Sequence, residues 1–373
     1  GLTVSLGEAR MRDYVRTKFG LSPSRPNTVT ANMYDCADVI SPYDTPWRVI
    51  MAAERPVDLI AHNHIYLNLN VPCALQGDLS WIKPGKAFRC GLKQKDALAA
   101  VDFAAERGLQ YIELDAGWYG PEMFMSSDAT KVAEGKDLDF KALCDYAATK
   151  GIGVWVYVNQ RALIQQLDDI LPLYKKWGIK GIKFGFVQVG NQFWTIWLHN
   201  AVRKCADYGI MVDIHDEYRP TGLSRPLPNL MTQEGIAGNE TMPDARHNTT
   251  LPFTRFLAGP ADYTPCYFNN RVKATHGHQL AMPVVYYSPI TFLYWYDTPQ
   301  LYRGEKELDF WKHVPTTWDE TYPIDGQIGE YVAIARRSGQ KWFVGVMNGM
   351  DARTLSLPTE FLQWGKKYVV TLY

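Results

Sequence analysis

The sequence of 373 residues predicts an α/β protein: a (β/α)8 barrel flanked by a partial N-terminal β-sandwich and a C-terminal β domain. Three observations carry this reading. Between about residue 90 and residue 320, short apolar runs alternate with helical segments, as in parallel βα units. Each helical segment closes on a glycine, the residue preferred where a helix stops. Each apolar run ends in polar or small residues, as barrel strands do where they converge on a site.

Residues 1–85 lack helical periodicity over most of their length and carry strand-like runs such as Leu2–Leu6 and Trp47–Met51. They are expected to be the end of a β-sandwich and a linker. The barrel is expected over 86–322. Its clearest strands are Tyr111–Asp115, Val154–Val158, Gly181–Phe186 and Ile210–His215, with helices near 95–108, 138–150, 166–177 and 191–208. Gly108, Gly151, Gly178 and Gly209 mark the helix ends. No G-x-G-x-x-G or G-x-x-x-x-G-K-[ST] follows a strand, which disfavours a nucleotide-binding sheet. Over 323–373 the pattern returns to strands, at Glu330–Ile334, Trp342–Val346 and the terminal Lys367–Tyr373. Both ends fall inside strand-like patterns, so the chain reads as a fragment, with no signal peptide at its start.

Composition narrows the function. Lys plus Arg and Asp plus Glu both number 39, a balance that argues against nucleic acid or an anionic membrane surface as partner. No run of apolar residues is long enough to span a membrane. Six scattered cysteines form no C-x-x-C pair, which disfavours zinc and redox motifs. The 12 Trp and 22 Tyr could cover the flat faces of sugars, although most are expected to be core filler.

The strand ends supply the chemistry. Asp115 closes one strand; Asp213, Asp216 and Glu217 surround His215; Glu234 and Glu240 follow in one short loop. Glycoside cleavage needs one carboxylic acid to protonate the departing oxygen and a second carboxylate to activate water or attack the anomeric carbon. Acids gathered at one mouth repel each other unless a cation sits among them, and oxygen ligands suit Ca²⁺. His62 and His64 have no acidic partner pattern and read as ordinary; His276 and His278 flank Gly277 and are expected to mark a loop. A metal-dependent amidohydrolase would need several histidines at strand ends, and only His215 qualifies.

Four segments then carry a family likeness. Asp115-Ala116-Gly117-Trp118 resembles the strand-two "DAGW" of glycoside hydrolase family 97. His215 to Gly222 resembles its "H…RPTG", Pro228 to Glu240 its "PN…EG…G.E", and Leu251 to Pro265 its "LPFTR…GP.DYTP". The resemblance implies a calcium-dependent exo-α-glycosidase, an α-glucosidase or α-galactosidase, acting on a terminal sugar in the periplasm or outside the cell. It implies that Glu240 is the general acid, and that Glu8, Glu234 and Glu240 hold Ca²⁺, together with Asp216. Lys183 and His215, with Asp115 and Trp118, are expected to touch the sugar.

The family divides by mechanism. Retaining members carry an Asp nucleophile where this chain has Gly185. Inverting members have Gly there and take bases from strands three and five, which here are Gln160 and Asp216. The expectation is therefore an inverting enzyme with Asp216, or its neighbour Glu217, as base. The rival from another class is a carbohydrate-binding protein on a decayed barrel, which Gly185 and Gln160 favour and which Glu240, Glu234 and His215 disfavour.

Overall fold

The computed structural model describes residues 1–373. Four strands open the chain: β1 (Thr3–Ala9), β2 (Thr17–Leu21), β3 (Val29–Met33) and β4 (Trp47–Ala53). β1 pairs antiparallel with β4, and β2 with β3. Two single-turn helices, α1 (Asp58–Ala61) and α2 (Ile65–Asn68), lead toward the barrel.

The barrel strands are β5 (Gly85–Cys90), β6 (Tyr111–Leu114), β7 (Gly153–Asn159), β8 (Gly181–Gly185), β9 (Met211–Ile214), β10 (Leu230–Gln233) and β11 (Ile290–Leu293). They form one seven-stranded sheet in the order β10-β9-β8-β7-β6-β5-β11, every neighbour parallel. The eighth stave is irregular: Asp262 donates its N–H to Gln233 O and Ala261 donates to Tyr287 O, each at 3.1 Å. This segment stands between β10 and β11 and nearly closes the ring. The expected (β/α)8 barrel with separate flanking antiparallel sheets is what the chain forms.

Four helices, α3 (Gln94–Glu106), α4 (Phe140–Thr149), α5 (Gln160–Trp177) and α6 (Gln192–Asp207), pack outside the strands. They end alike. Gly108, Gly151, Gly178 and Gly209 all take positive φ, between 66° and 97°. The apolar residue after each glycine then donates its N–H back to the last turn: Leu109 to Ala104, Ile152 to Ala147, Ile179 to Tyr174 and Ile210 to Cys205, at 2.8–3.0 Å. This pattern satisfies helix carbonyls that would otherwise be orphaned, and it seats a buried side chain at the start of each strand. α5 begins six residues before the expected start, because the Asn159 side chain accepts the N–H of Arg161 and caps it there.

Period-two alternation sorts the strand residues into two cores. Phe88, Ile112, Val154, Val156, Ile182, Phe184 and Val212 point outward into a cluster of 47 buried residues shared with the helices. Ala87, Tyr111, Trp155, Met211, Met231 and Phe292 point inward to a cluster of nine that fills the barrel. Inside, large and small residues interlock between strands. A Cβ on Gly153 would lie 2.7 Å from the Tyr111 ring, one on Gly181 would collide with Trp155, and one on Gly185 would collide with Tyr157.

Three further helices follow β10: α7 (Ala245–Thr250), α8 (His276–Val285) and α9 (Asp309–His313). α8 corrects the expected loop at His276 and His278: Thr275 accepts the N–H of His278 and starts a helix whose second residue is Gly277. After the barrel, β12 (Glu320–Gln327), β13 (Tyr331–Ser338) and β14 (Lys341–Asn348) form an antiparallel sheet. The terminal Lys367–Tyr373 run is not a strand, since β14 is already the last in its sheet and nothing pairs with the run. All six cysteines are unpaired, four of them buried, and no helix is long and apolar enough to cross a membrane.

Candidate active site

The inward-facing positions turn polar toward the C-terminal ends of the strands, and this is where the acids gather. On β9 and its extension, Met211, Asp213 and His215 share the inward face; Lys183 takes the equivalent place on β8. Lys183 and Asp262 are fully buried and paired, Nζ to Oδ2 at 2.9 Å. Lys183 Nζ also lies 3.8 Å from the centroid of the Trp295 ring. His215 sits at the centre. Its Nδ1 is 3.2 Å from Glu234 Oε2 and 3.4 Å from Asp262 Oδ2, and its Nε2 is 3.6 Å from Glu240 Oε2. Glu240 further accepts Trp295 Nε1–H at 2.5 Å and the Tyr296 hydroxyl at 3.1 Å.

Asp216 joins the cluster through the backbone: its own N–H donates to Glu234, and its carboxylate accepts the N–H of Phe186 at the end of β8. Asp216 and Phe186 both hold left-handed backbone, φ 65° and 49°, an unfavourable state that tends to occur at functional sites. The Asp216 carboxylate is thus drawn to the strand-four end beside Gly185, where Tyr157 occupies the space a side chain would need. Glu217, the next residue, is exposed and lines the same cleft of about 620 Å³ as Asp216 and Glu234.

The electrostatics separate the two glutamates. Burial, with repulsion from Asp262 and Glu240, pushes Glu234 up to about 8 despite the positive charge of His215 and Lys183. Burial acts the same way on Glu240, but the hydrogen bond from His215 and the charges of Lys183 and His215 outweigh it and hold Glu240 at about 2. Burial and Lys183 oppose a charge on His215; hydrogen bonds to Asp262 and Glu240 and the charge of Glu234 overcome them and raise its pKa well above the usual value. In this arrangement the proton of the His215–Glu240 pair therefore rests on the imidazole.

Other expected residues lie elsewhere. Trp118 does not line the cleft: it is fully buried, donates Nε1–H to Tyr157 O, and packs edge-on against Tyr119 and Phe140. Its position follows Gly117, where the chain has left the strand and turned behind the barrel. Lys183, expected to touch the sugar, is instead committed to Asp262 beneath the site, and its charge acts on His215 and the glutamates. Asp115 is held by Arg89 at 2.7 Å. Glu8 is not among the clustered acids. Its carboxylate lies between Arg48, at 2.9 Å, and Arg219, at 2.8 Å, and accepts the N–H of Thr17. Gln160 accepts the N–H of Gln188 and so ties down the loop after β8.

Three residues central to this geometry were not singled out from the sequence. Asp262 lies in the "DYTP" segment, which has no strand periodicity; Trp295 and Tyr296 follow β11, which was not among the strands read from the sequence. For Asp213 the available signal was its spacing, two residues before His215 on one strand, which places both inside.

Carboxylates and a histidine thus gather at the C-terminal mouth of a parallel barrel, the end where enzymes of this fold keep their active sites. The chain belongs to glycoside hydrolase family 97. Its sequence matches the family's N-terminal region over residues 1–72, the glycoside hydrolase 97 region over 74–236, and the C-terminal region, described as serving oligomerisation, over 317–373. A protein of Bacteroides thetaiotaomicron named retaining alpha-galactosidase is 34% identical over 90% of this chain and 55% of its own length. A probable retaining alpha-galactosidase of Streptomyces bingchenggensis is 31% identical over 84% of this chain and 51% of its own. The chain thus spans about half the length of the curated relatives it matches. A family 97 enzyme from Pseudoalteromonas sp. strain K8, solved with acarbose, superposes with a TM-score of 0.87 at 27% identity, covering 98% of this chain and 65% of that one. Both curated names say retaining, which overturns the expectation of an inverting enzyme as a reading of the family, although residue 185 supplies no nucleophile.

Proposed function

We propose that the protein is an exo-acting α-glycosidase that releases a terminal α-linked sugar, galactose or glucose, with calcium at its site. The observation that carries this is the convergence of Glu240 and Glu234 on His215 at the barrel mouth, with Asp216 tied to Glu234 through its backbone N–H. The curated relatives' names point to α-galactosides, and the solved relative's complexes with acarbose and panose to α-glucosides. We divide the chain at 1–85, 86–322 and 323–373, with the catalytic part in the middle, and place it in the periplasm or outside the cell, as the family suggests.

In this reading Glu240 protonates the departing oxygen. Its proton is drawn from His215 Nε2, 3.6 Å away, and the Trp295 and Tyr296 donors fix the carboxylate. Asp216 is the carboxylate beside the anomeric carbon, held at the β8 end by the Phe186 N–H, and Glu217 is its alternate. The residues fit a cation: ligand atoms of His215, Glu234 and Glu240 lie within 4.8 Å of one another, and burial, with repulsion from Asp262 and Glu240, pushes Glu234 up to about 8. Glu234 and Glu240, with Asp216, would hold Ca²⁺, while Glu8 is already neutralised by two arginines. The ion would hold sugar hydroxyls and offset the negative charge of the site.

The test is a screen of nitrophenyl α- and β-glycosides with the wild type and with Asp216→Asn. Turnover of an α-glycoside that Asp216→Asn abolishes is expected. No turnover of any α-glycoside would leave only sugar binding. An active Asp216→Asn beside a dead Glu217→Gln would move the role one residue on. NMR of the first-formed anomer then reads which bond Asp216 makes: the α-anomer requires it as nucleophile, in line with the curated relatives, and the β-anomer requires it as base toward water.

A further inference from the structure

Two cations of the cleft have no carboxylate within ion-pair distance. Arg16 and Lys18 line it with Tyr34, alongside Asp216, Glu217 and Glu234 from the barrel loops. A third cation there, Arg219, is matched by Glu8 at 2.8 Å. Neither Arg16 nor Lys18 has a carboxylate within 4 Å; Arg16 is only 4% exposed and feels Glu8 from farther away, while Lys18 is exposed.

Both are held in place. Arg16 donates its backbone N–H to Gly190 O at 2.7 Å and Nη2 to Arg219 O, and its guanidinium lies 4.6 Å from the centroid of the Tyr218 ring. Tyr34 donates its N–H to Arg16 O at 3.0 Å, and its ring presses on Gly190 so closely that any Cβ there would collide. Lys18 Nζ sits 4.6 Å over that ring. The β2–β3 hairpin is therefore pinned to the loop after β8, and it presents two positive groups and an aromatic face to the cleft.

The carboxylate that acts on the buried Arg16 guanidinium, Glu8, is already shared by Arg48 and Arg219, so three guanidinium groups draw on one negative charge, a costly arrangement. Neutral sugars are recognised by hydrogen bonds and ring stacking, and two cations without a direct ion pair add nothing to that recognition. They do match a ligand that brings its own negative charge. The acids at the catalytic end repel such a charge, so it belongs on a sugar farther along the cleft. We propose that Arg16 and Lys18 bind a carboxylate or sulfate on the sugar linked to the one released, so that the preferred substrates are acidic glycans. The proposal rests on the glycosidase reading, and Tyr34 would stack on the same acidic sugar.

Three disaccharides test it: α-galactosyl glucuronic acid, α-galactosyl glucose 6-sulfate, and neutral α-galactosyl glucose, with the α-glucosyl series alongside. With the full chain, an acidic substrate is expected to exceed the neutral one in kcat/KM roughly tenfold, the scale of one charge-assisted contact. The gain should appear in KM, shrink as salt rises from about 0.05 to about 0.5 M, and vanish in Lys18→Ala, a substitution at an exposed position. Preference for glucuronate alone or for sulfate alone would identify the source of the charge. Equal turnover of acidic and neutral substrates, or a preference that survives in both Lys18→Ala and Arg16→Gln, would overturn the proposal. If nothing is cleaved, the glycosidase reading fails separately, and calorimetry with the same ligands still decides: tighter binding of an acidic ligand, lost in Lys18→Ala, supports the site, and equal affinities sink it.

Discussion

Lys183 and Asp262 meet at 2.9 Å with neither side chain exposed, directly below His215. Removing one partner strands the other charge in the barrel. Lys183→Met should lower the unfolding free energy by about 3–5 kcal/mol at neutral pH, read by urea denaturation. A loss below about 1 kcal/mol would mean that the pair is not the buried charge lock described here.

A second buried lysine gives a pH signature. Lys86 is 4% exposed and donates to Trp311 O and Lys312 O, both at 2.8 Å, at the end of α9. Burial lowers its pKa from 10.5 to about 8. The unfolded chain therefore keeps this proton up to pH 10.5 while the folded chain releases it near 8, so stability rises with pH across that window and the penalty is complete below it. Measured against Lys86→Met, wild type should gain up to about 1.4 kcal/mol per pH unit between the two values. A difference that stays flat from neutral pH to about pH 10 would contradict this.

Glu240→Gln keeps the acceptor for Trp295 and Tyr296 but cannot deliver a proton. Loss of kcat by a factor of about 10²–10⁴ is expected for glycosides with poor leaving groups, and a much smaller loss for activated aryl glycosides. Equal losses for both classes would move the proton donor away from Glu240.

Chelation should act on activity and stability together. Without a cation, burial and the neighbouring carboxylates push Glu234 up to about 8, so charging it is costly near neutrality. A chelator is expected to lower turnover and Tm in parallel, with Ca²⁺ restoring both and Mg²⁺ doing so poorly, because it demands a tighter octahedral shell. Full activity after exhaustive chelation would remove calcium from the account.

The barrel was legible in the sequence because its rhythm is local. Gly108, Gly151, Gly178 and Gly209 each stand where a helix must stop, and the apolar residue after each announces the next strand. The same locality misled at His276: a glycine between two histidines looks like a loop until Thr275 is recognised as the cap. The site was legible where strand alternation applies, as for His215. It was not legible where pairing is long-range. Nothing local shows that Glu8 faces Arg48 and Arg219, that Lys183 is taken by Asp262 79 residues away, or that Tyr157 fills the space above Gly185. Trp118 failed for a related reason, since a tryptophan after a strand reads the same whether it lines the mouth or folds behind it.

The carboxylate of Glu8 binds Arg219 of a barrel loop on one side and Arg48 of the antiparallel pair on the other. For anyone wishing to transplant this catalytic unit, that makes the barrel a poor cassette. An excised 86–322 segment would keep Arg219 and lose its counter-ion, and it would lose the hairpin that roofs the cleft. Grafts should carry the first fifty or so residues with them, because the mouth of the barrel is a composite of two parts of the chain.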